Sequence, residues 1–278
     1  MKKRALFLAT LCTFFLLFSG CGKKVTLDLE KISTNLETIT TDTFYLQGAA
    51  LVIDEKEFFN NLEDVYDYDF EKIFDLDKDL IQEYSVRMNK KTKEMYLLLL
   101  PVEGKKEDVK DTMKDYFKSL EKKEKSDKLD MIKDRLEEEV DNYLIYIVSK
   151  DNNEEIFNSI KDLRVPLFGG LTQIDDEVLR TQFDINPTDL DSYLIATPMM
   201  MTQTNGYYIL KPASGKENVV KEKMTTYMTN LEEQWKTYLP DQYELVKNRK
   251  EVTYGDYLIY IISSDNDKVF EEIKKAEI

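Results

Sequence analysis

The hydrophobic positions of this chain form a pattern that is written twice. Tyr143-Leu144-Ile145-Tyr146-Ile147-Val148-Ser149 returns 114 residues later (257 − 143) as Tyr257-Leu258-Ile259-Tyr260-Ile261-Ile262-Ser263, each copy followed by Asp-Asn and an amphipathic tail. An uninterrupted run of β-branched and aromatic residues predicts a buried strand. Ahead of it, 84–88 and 95–101 predict a hairpin across the polar turn 89–93, and 193–197 and 207–212 predict another with Asn205-Gly206 in its turn. Between hairpin and strand, Val109, Met113, Tyr116 and Leu120 share one face of a helix over 106–123. Val220, Met224, Tyr227 and Leu231 repeat that face 111 residues on (220 − 109), and Pro101, Gly104 and Lys105 return as Pro212, Gly215 and Lys216 at the same step. A step held through a turn and three turns of helix marks a duplicated unit.

Shorter patterns fill the intervals. Leu29, Ile32, Leu36 and Ile39 fall on one helical face, and 49–53 is a short apolar run. The acidic and aromatic stretch 54–83 places Phe58, Leu62 and Val65, and Phe59, Leu62 and Tyr66, at helical spacings, which predicts a helix with its carboxylates outward. Asp151 with Glu154 has the form of a capping box and predicts a closing helix over 153–160. Phe183-Asp184-Ile185-Asn186 matches Phe74-Asp75-Leu76-Asp77, 243–246 reads as a short strand, and 164–170 reads as a joint. The expected fold class is α+β, with two tandem repeats, each a small antiparallel sheet (hairpin, helix, strand, helix) covered by helices on one side. The modules are 54–162 and 163–278, after a signal at 1–20 and an anchor, tether and helix at 21–53.

The N-terminus sets the expected compartment. Lys2-Lys3-Arg4 precedes an apolar run, 5–18, that is too short to span a bilayer as a mature helix and reads as a secretory signal. It ends in Leu17-Phe18-Ser19-Gly20-Cys21, which resembles a bacterial lipobox with Phe18 where an aliphatic residue is usual. The resemblance implies a diacylglycerol on Cys21, the mature N-terminus, and two acyl chains are what stable anchoring takes. Lipid-anchored localisation on the extracellular face of the cell membrane follows. Cys12 leaves with the signal, so the mature chain has no disulfide.

The full chain has 39 basic and 54 acidic residues; removing Lys2, Lys3 and Arg4 leaves 36 (39 − 3) and a formal charge of −18 (36 − 54). That excess argues against nucleic acid and against lying flat on an anionic leaflet. It suits a solvated acidic surface.

Candidate chemistry is sparse. The chain has no histidine, the commonest general base and metal ligand near neutral pH, and no Gly-x-Ser-x-Gly, so neither catalysis nor a cofactor is expected. The Gly104-Lys105 and Gly215-Lys216 turns could receive an anion at a helix start, but Leu99 and Leu210 stand where a P-loop needs glycine, and a plain strand-to-helix turn accounts for both. Asp265-Asn266-Asp267 with Glu271 and Glu272, and Asp151-Asn152-Asn153 with Glu154 and Glu155, offer oxygens to calcium, but helix capping explains both copies. Met199-Met200-Met201 with Met224 and Met228 could suggest copper(I); alternation along a strand splits the first three, and helix methionines fill cores. No metal site is expected. Tyrosines 207, 208, 254, 257 and 260 are either a sugar-stacking platform or core, and core packing is the expectation.

From Tyr193 onward the order of features resembles a family of bacterial lipoproteins, the domain of unknown function 4358 family, found chiefly in Firmicutes. The residues that carry it are the helix from Val220 to Leu231, Tyr238-Leu239-Pro240-Asp241-Gln242-Tyr243, Val246-Lys247-Asn248, Gly255-Asp256-Tyr257 and Ile262-Ser263-Ser264-Asp265. The first copy lacks the Tyr-Leu-Pro and Gly-Asp pieces. The resemblance implies a location and a domain outline, with no activity and no catalytic residue. The function expected is a non-enzymatic binding or interaction module at the cell surface, with a surface protein as partner. A small-ligand or ion receptor beside a transporter, with its site between the modules, and an envelope structural or assembly factor are the alternatives.

Overall fold

The structure, a computed structural model, describes residues 25–56, 59, 61–199 and 202–278. The signal, the lipobox and Cys21 lie outside the described residues, as do Phe58, Met200 and Met201. Contacts divide the described residues into one unit of Leu36–Gly170 and another in which 25–35 join Leu171–Ile278. The expected 21–53 segment is thus shared, with 25–35 in the second unit and 36–53 in the first.

The first described helix is α1 (Leu29–Glu37). The first unit then runs β1 (Thr40–Phe44), α2 (Leu46–Asp54), β2 (Glu63–Asp64), α3 (Asp67–Phe74), β3 (Ile81–Met88), β4 (Met95–Pro101), α4 (Lys106–Lys123), α5 (Asp127–Lys133), β5 (Leu136–Val140), β6 (Tyr143–Val148), α6 (Asn153–Ile160) and β7 (Arg164–Pro166). The second runs β8 (Leu171–Gln173), α7 (Asp176–Gln182), β9 (Leu190–Pro198), β10 (Gly206–Pro212), α8 (Glu217–Trp235), α9 (Pro240–Lys247), β11 (Lys250–Tyr254), β12 (Tyr257–Ile262) and α10 (Asn266–Lys274). The fold class is α+β, with two separate five-stranded antiparallel sheets of order β2-β3-β4-β6-β5 and β8-β9-β10-β12-β11. Strand for strand the two orders are the same. β1 and β7 form a further antiparallel pair.

Helices cover both faces of the first sheet, a fuller cover than the one-sided layer expected. β6 is buried at all six positions, so its alternate side chains need two apolar layers. Leu144, Tyr146 and Val148 pack with Phe70 and Phe74 of α3, Val109, Met113 and Phe117 of α4, and Met131 and Ile132 of α5. Tyr143, Ile145 and Ile147 pack with Leu46, Ala49 and Ile53 of α2 and with Ile156 and Ile160 of α6. In the second unit Leu258, Tyr260 and Ile262 face α7, α8 and α9. The alternate residues Tyr257, Ile259 and Ile261 are buried too, and α10 buries Val269 and Ile273.

Some local expectations are corrected. The 54–83 stretch is not one helix: it holds β2, α3 and a 3-10 turn at Lys78–Leu80, and Phe70 and Phe74 rather than Tyr66 supply its core side. Tyr66 is 54% exposed and stacks on Tyr68. The segment 243–246 is helix α9, started by Pro240 in its first turn, and the last hairpin is completed by the unforeseen β11. The cap of α6 is Asn152, whose Oδ1 accepts from the Glu155 amide at 3.2 Å, not Asp151.

The likeness of the two units extends to polar side chains. Arg135 donates from Nη1 to Glu121 at 2.6 Å and to the Ile132 carbonyl at 2.8 Å, and from Nε to Glu137. Arg249 does the same to Glu232 and the Val246 carbonyl, both at 3.0 Å, and to Glu251 at 2.6 Å. Each guanidinium joins the long helix, the end of the short helix and the edge strand. Asn153 and Asn266 likewise donate to the carbonyls of Asp134 and Asn248. Replacing Arg135 or Arg249 by Ala should each destabilise by about 1–3 kcal/mol in urea unfolding, since a carboxylate pair and a carbonyl lose their donor. Lysine should not rescue either, because it lacks the planar fork.

Candidate functional site

The same end of each sheet carries a cleft. In the first unit β4 runs out at Pro101, the turn Val102-Glu103-Gly104 leads into α4, and the β5–β6 turn at Asp141-Asn142 stands beside it; together with Asp42 and Gln82 these enclose about 630 Å³. In the second unit the counterparts Pro212, Ala213-Ser214-Gly215, Gly255-Asp256 and Asp191 line a cleft of about 330 Å³. The Gly104 and Gly215 turns make this geometry possible, with φ of 78° and 77°, in the left-handed region that glycine enters without a steric penalty.

The chemistry of the two clefts differs. Lys106 of the first becomes Glu217 in the second, Leu100 becomes Lys211, and Asp141 becomes Gly255. In the first, Lys106 pairs with Glu139, which Lys110 also meets at 3.0 Å; these ammonium groups hold the Glu139 carboxyl below its ordinary value. Asp141 accepts the Phe44 amide at 3.0 Å, and the Tyr143 hydroxyl donates to Glu83 at 3.0 Å. Burial, then that bond, pushes the Tyr143 phenol up. In the second, Lys211 lies 5.5 Å over the Tyr257 ring. The clefts can bind through polar rims and backbone turns, and in the first the Tyr143 proton is held rather than poised for transfer.

The residues singled out by sequence are placed as follows. Lys105 turns to Asp108 at 3.1 Å and Lys216 to Asp189 at 2.7 Å, so the glycine-lysine turns direct their lysines to neighbouring carboxylates. Asp265 caps α10 by accepting from the Lys268 amide at 3.0 Å, and Asn266 accepts from Ser263. Asn153 accepts from Ser149 at 2.7 Å in the matching place. Asp265 and Asn152 act as caps, and among the described residues no group of three Asp, Glu, His or Cys is placed to hold a metal. Met199 is exposed, while Met224 and Met228 are core. Tyr207, Tyr208, Tyr257 and Tyr260 are buried, and Tyr254 donates to Glu277 at 2.5 Å, so these tyrosines form no sugar platform. The clefts themselves needed Asp141 and Gly255, whose role no spacing announced. No described helix is long and apolar enough to cross a membrane.

Gly255 has φ of 57° and a Cβ there would stand 2.5 Å from Val25 Cβ, whereas a Cβ on Gly104 would meet nothing within 4 Å. Gly255→Ala should therefore cost about 2–3 kcal/mol and Gly104→Ala about 1 kcal/mol in chemical unfolding, the former adding a contact clash to left-handed strain. Two tyrosines outside the clefts offer a pH test. Burial, then the bonds to Asp67 and Asp176, raises Tyr84 and Tyr193 from 10.0 to about 12. Folded phenols then stay neutral where unfolded ones ionise, so their contribution is full below pH 10 and lost as pH rises through about 12. The double variant Tyr84→Phe, Tyr193→Phe should flatten the stability curve over that window; an unchanged slope would refute the assignment.

No curated protein and no solved structure matches the chain. Residues 167–263, which take in the second sheet from β8 to β12 and its helix α8, match the family described as Domain of unknown function (DUF4358).

Proposed function

We propose that the chain is a membrane-anchored extracellular lipoprotein, held by a diacylglycerol on Cys21, whose two units bind a surface partner without transforming it. The observation that carries the reading is the order Lys2-Lys3-Arg4, apolar run and Ser19-Gly20-Cys21. Binding rather than catalysis is supported by a chain without histidine and by a first cleft whose Lys106 and Tyr143 are engaged with neighbouring carboxylates. The 630 Å³ cleft favours a second reading, a small-ligand receptor, since sites for small molecules span about 300–1,000 Å³.

Cys21→Ala should release the protein into the medium or leave it unprocessed, with acyl label reduced to background; continued acyl labelling would end the anchor assignment. The soluble fragment from Gly22 should show no turnover of peptidoglycan, peptide or phosphoester substrates. Activity above background in any of them overturns the binding reading.

A further inference from the structure

The second unit begins where the tether ends. Val25 is buried, and its amide nitrogen lies 3.4 Å from the place a Cβ of Gly255 would occupy. From there the chain is stitched down at every step: Thr26 O accepts the Ile278 amide at 3.0 Å, the Leu27 amide donates to the Tyr257 hydroxyl at 3.2 Å, and the Asp28 amide donates to Ala276 O at 3.0 Å. Leu27 and Glu277 also form a β-bridge. The tether cannot be lengthened from this side without breaking these bonds and exposing Val25 and Leu27 to water.

Three residues lie between Cys21 and Val25, four Cα steps in all (25 − 21). Fully extended, they reach roughly 14 Å. The headgroup layer on each side of a bilayer is itself roughly 5–8 Å thick. Given the anchor on Cys21, on which this step rests, we infer that the Gly255-Asp256 turn and the adjoining cleft at Gly215 form the membrane-apposed face of the second unit. The partner of that face is the lipid surface itself. The other end of β12, at Ser263-Ser264, lies a six-residue strand farther off, roughly 17 Å.

The test uses full-length acylated protein in vesicles of zwitterionic phosphatidylcholine, chosen because Asp191, Glu217 and Asp256 rim the cleft and would be repelled by anionic lipid. Asp256→Cys and Ser264→Cys, both at exposed positions, each carry an environment-sensitive fluorophore, and headgroup-labelled lipid serves as quencher. Acylation is followed separately by lipid labelling. Quenching should be several-fold stronger at 256 than at 264. Inserting about 20 Gly/Ser residues after Lys24, with an r.m.s. reach of roughly 25 Å, should abolish the difference while acylation persists. Equal quenching at the two sites in acylated protein without the insert overturns the inference and leaves the anchor standing. Absence of acyl label overturns the anchor and the inference together.

Discussion

A strand buried along its whole length imposes the rest of this architecture. β6 and β12 expose none of their six side chains, so each sheet must be roofed and floored. The long helices α4 and α8 supply one layer, with α3 and α5 or α7 and α9 beside them. The other layer has to be found elsewhere, and the first unit finds it in α2 and α6. In the second unit α10 contributes, and α1 joins its end through Lys31, whose ammonium donates to Lys275 O at 3.1 Å, and joins β8 through Ser33, which accepts from Gln173 at 2.6 Å. The short amphipathic α1 thus has a reason to be buried at Ile32 and Leu36.

The parts read correctly from sequence are those whose period stood alone. α4, α6 and β4 were legible to the residue and the repeated strands to within one, because long apolar faces or unbroken apolar runs leave one reading. The stretch 54–83 misled because aromatics occur at helical spacing in a segment cut by turns; Asp75, at φ of 55°, ends α3 in the left-handed region, and Asp184 ends its counterpart stretch at 53°. β11 escaped notice since Lys250, Glu251 and Thr253 show only weak alternation, as suits an edge strand. Of the candidate site, the glycine-lysine turns were legible, while the facing Asp141 and Gly255 turns depend on tertiary approach that a linear pattern does not hold.

Comparison of the units separates what the fold requires from what it leaves open. The arginine forks, the asparagine bonds to the short helix end, and the tyrosine bonds from Tyr84 to Asp67 and Tyr193 to Asp176 occur in both. They tie elements together and tolerate no change of partner without loss. The cleft positions differ in charge and size at Lys106 and Glu217, Leu100 and Lys211, Asp141 and Gly255. The two clefts are therefore different surfaces on a common frame: each rim carries three carboxylates and one lysine, set at different positions.

The pairing of Thr26 with Ile278 also sets an order of assembly. It joins residues 252 apart (278 − 26), and the bond cannot form until Ile278 exists. Closing so long a loop costs only slowly more entropy as the loop grows, so distance is no bar to stability. Timing is another matter, because contacts of high sequence separation form late. As the chain emerges, the unit of Leu36–Gly170 has all its strands while Val25 and Leu27 still wait for β12 and the C-terminal residues. A chain lacking Ala276, Glu277 and Ile278 would thus carry a finished first unit and a second one with Thr26, Leu27 and Asp28 short of their partners.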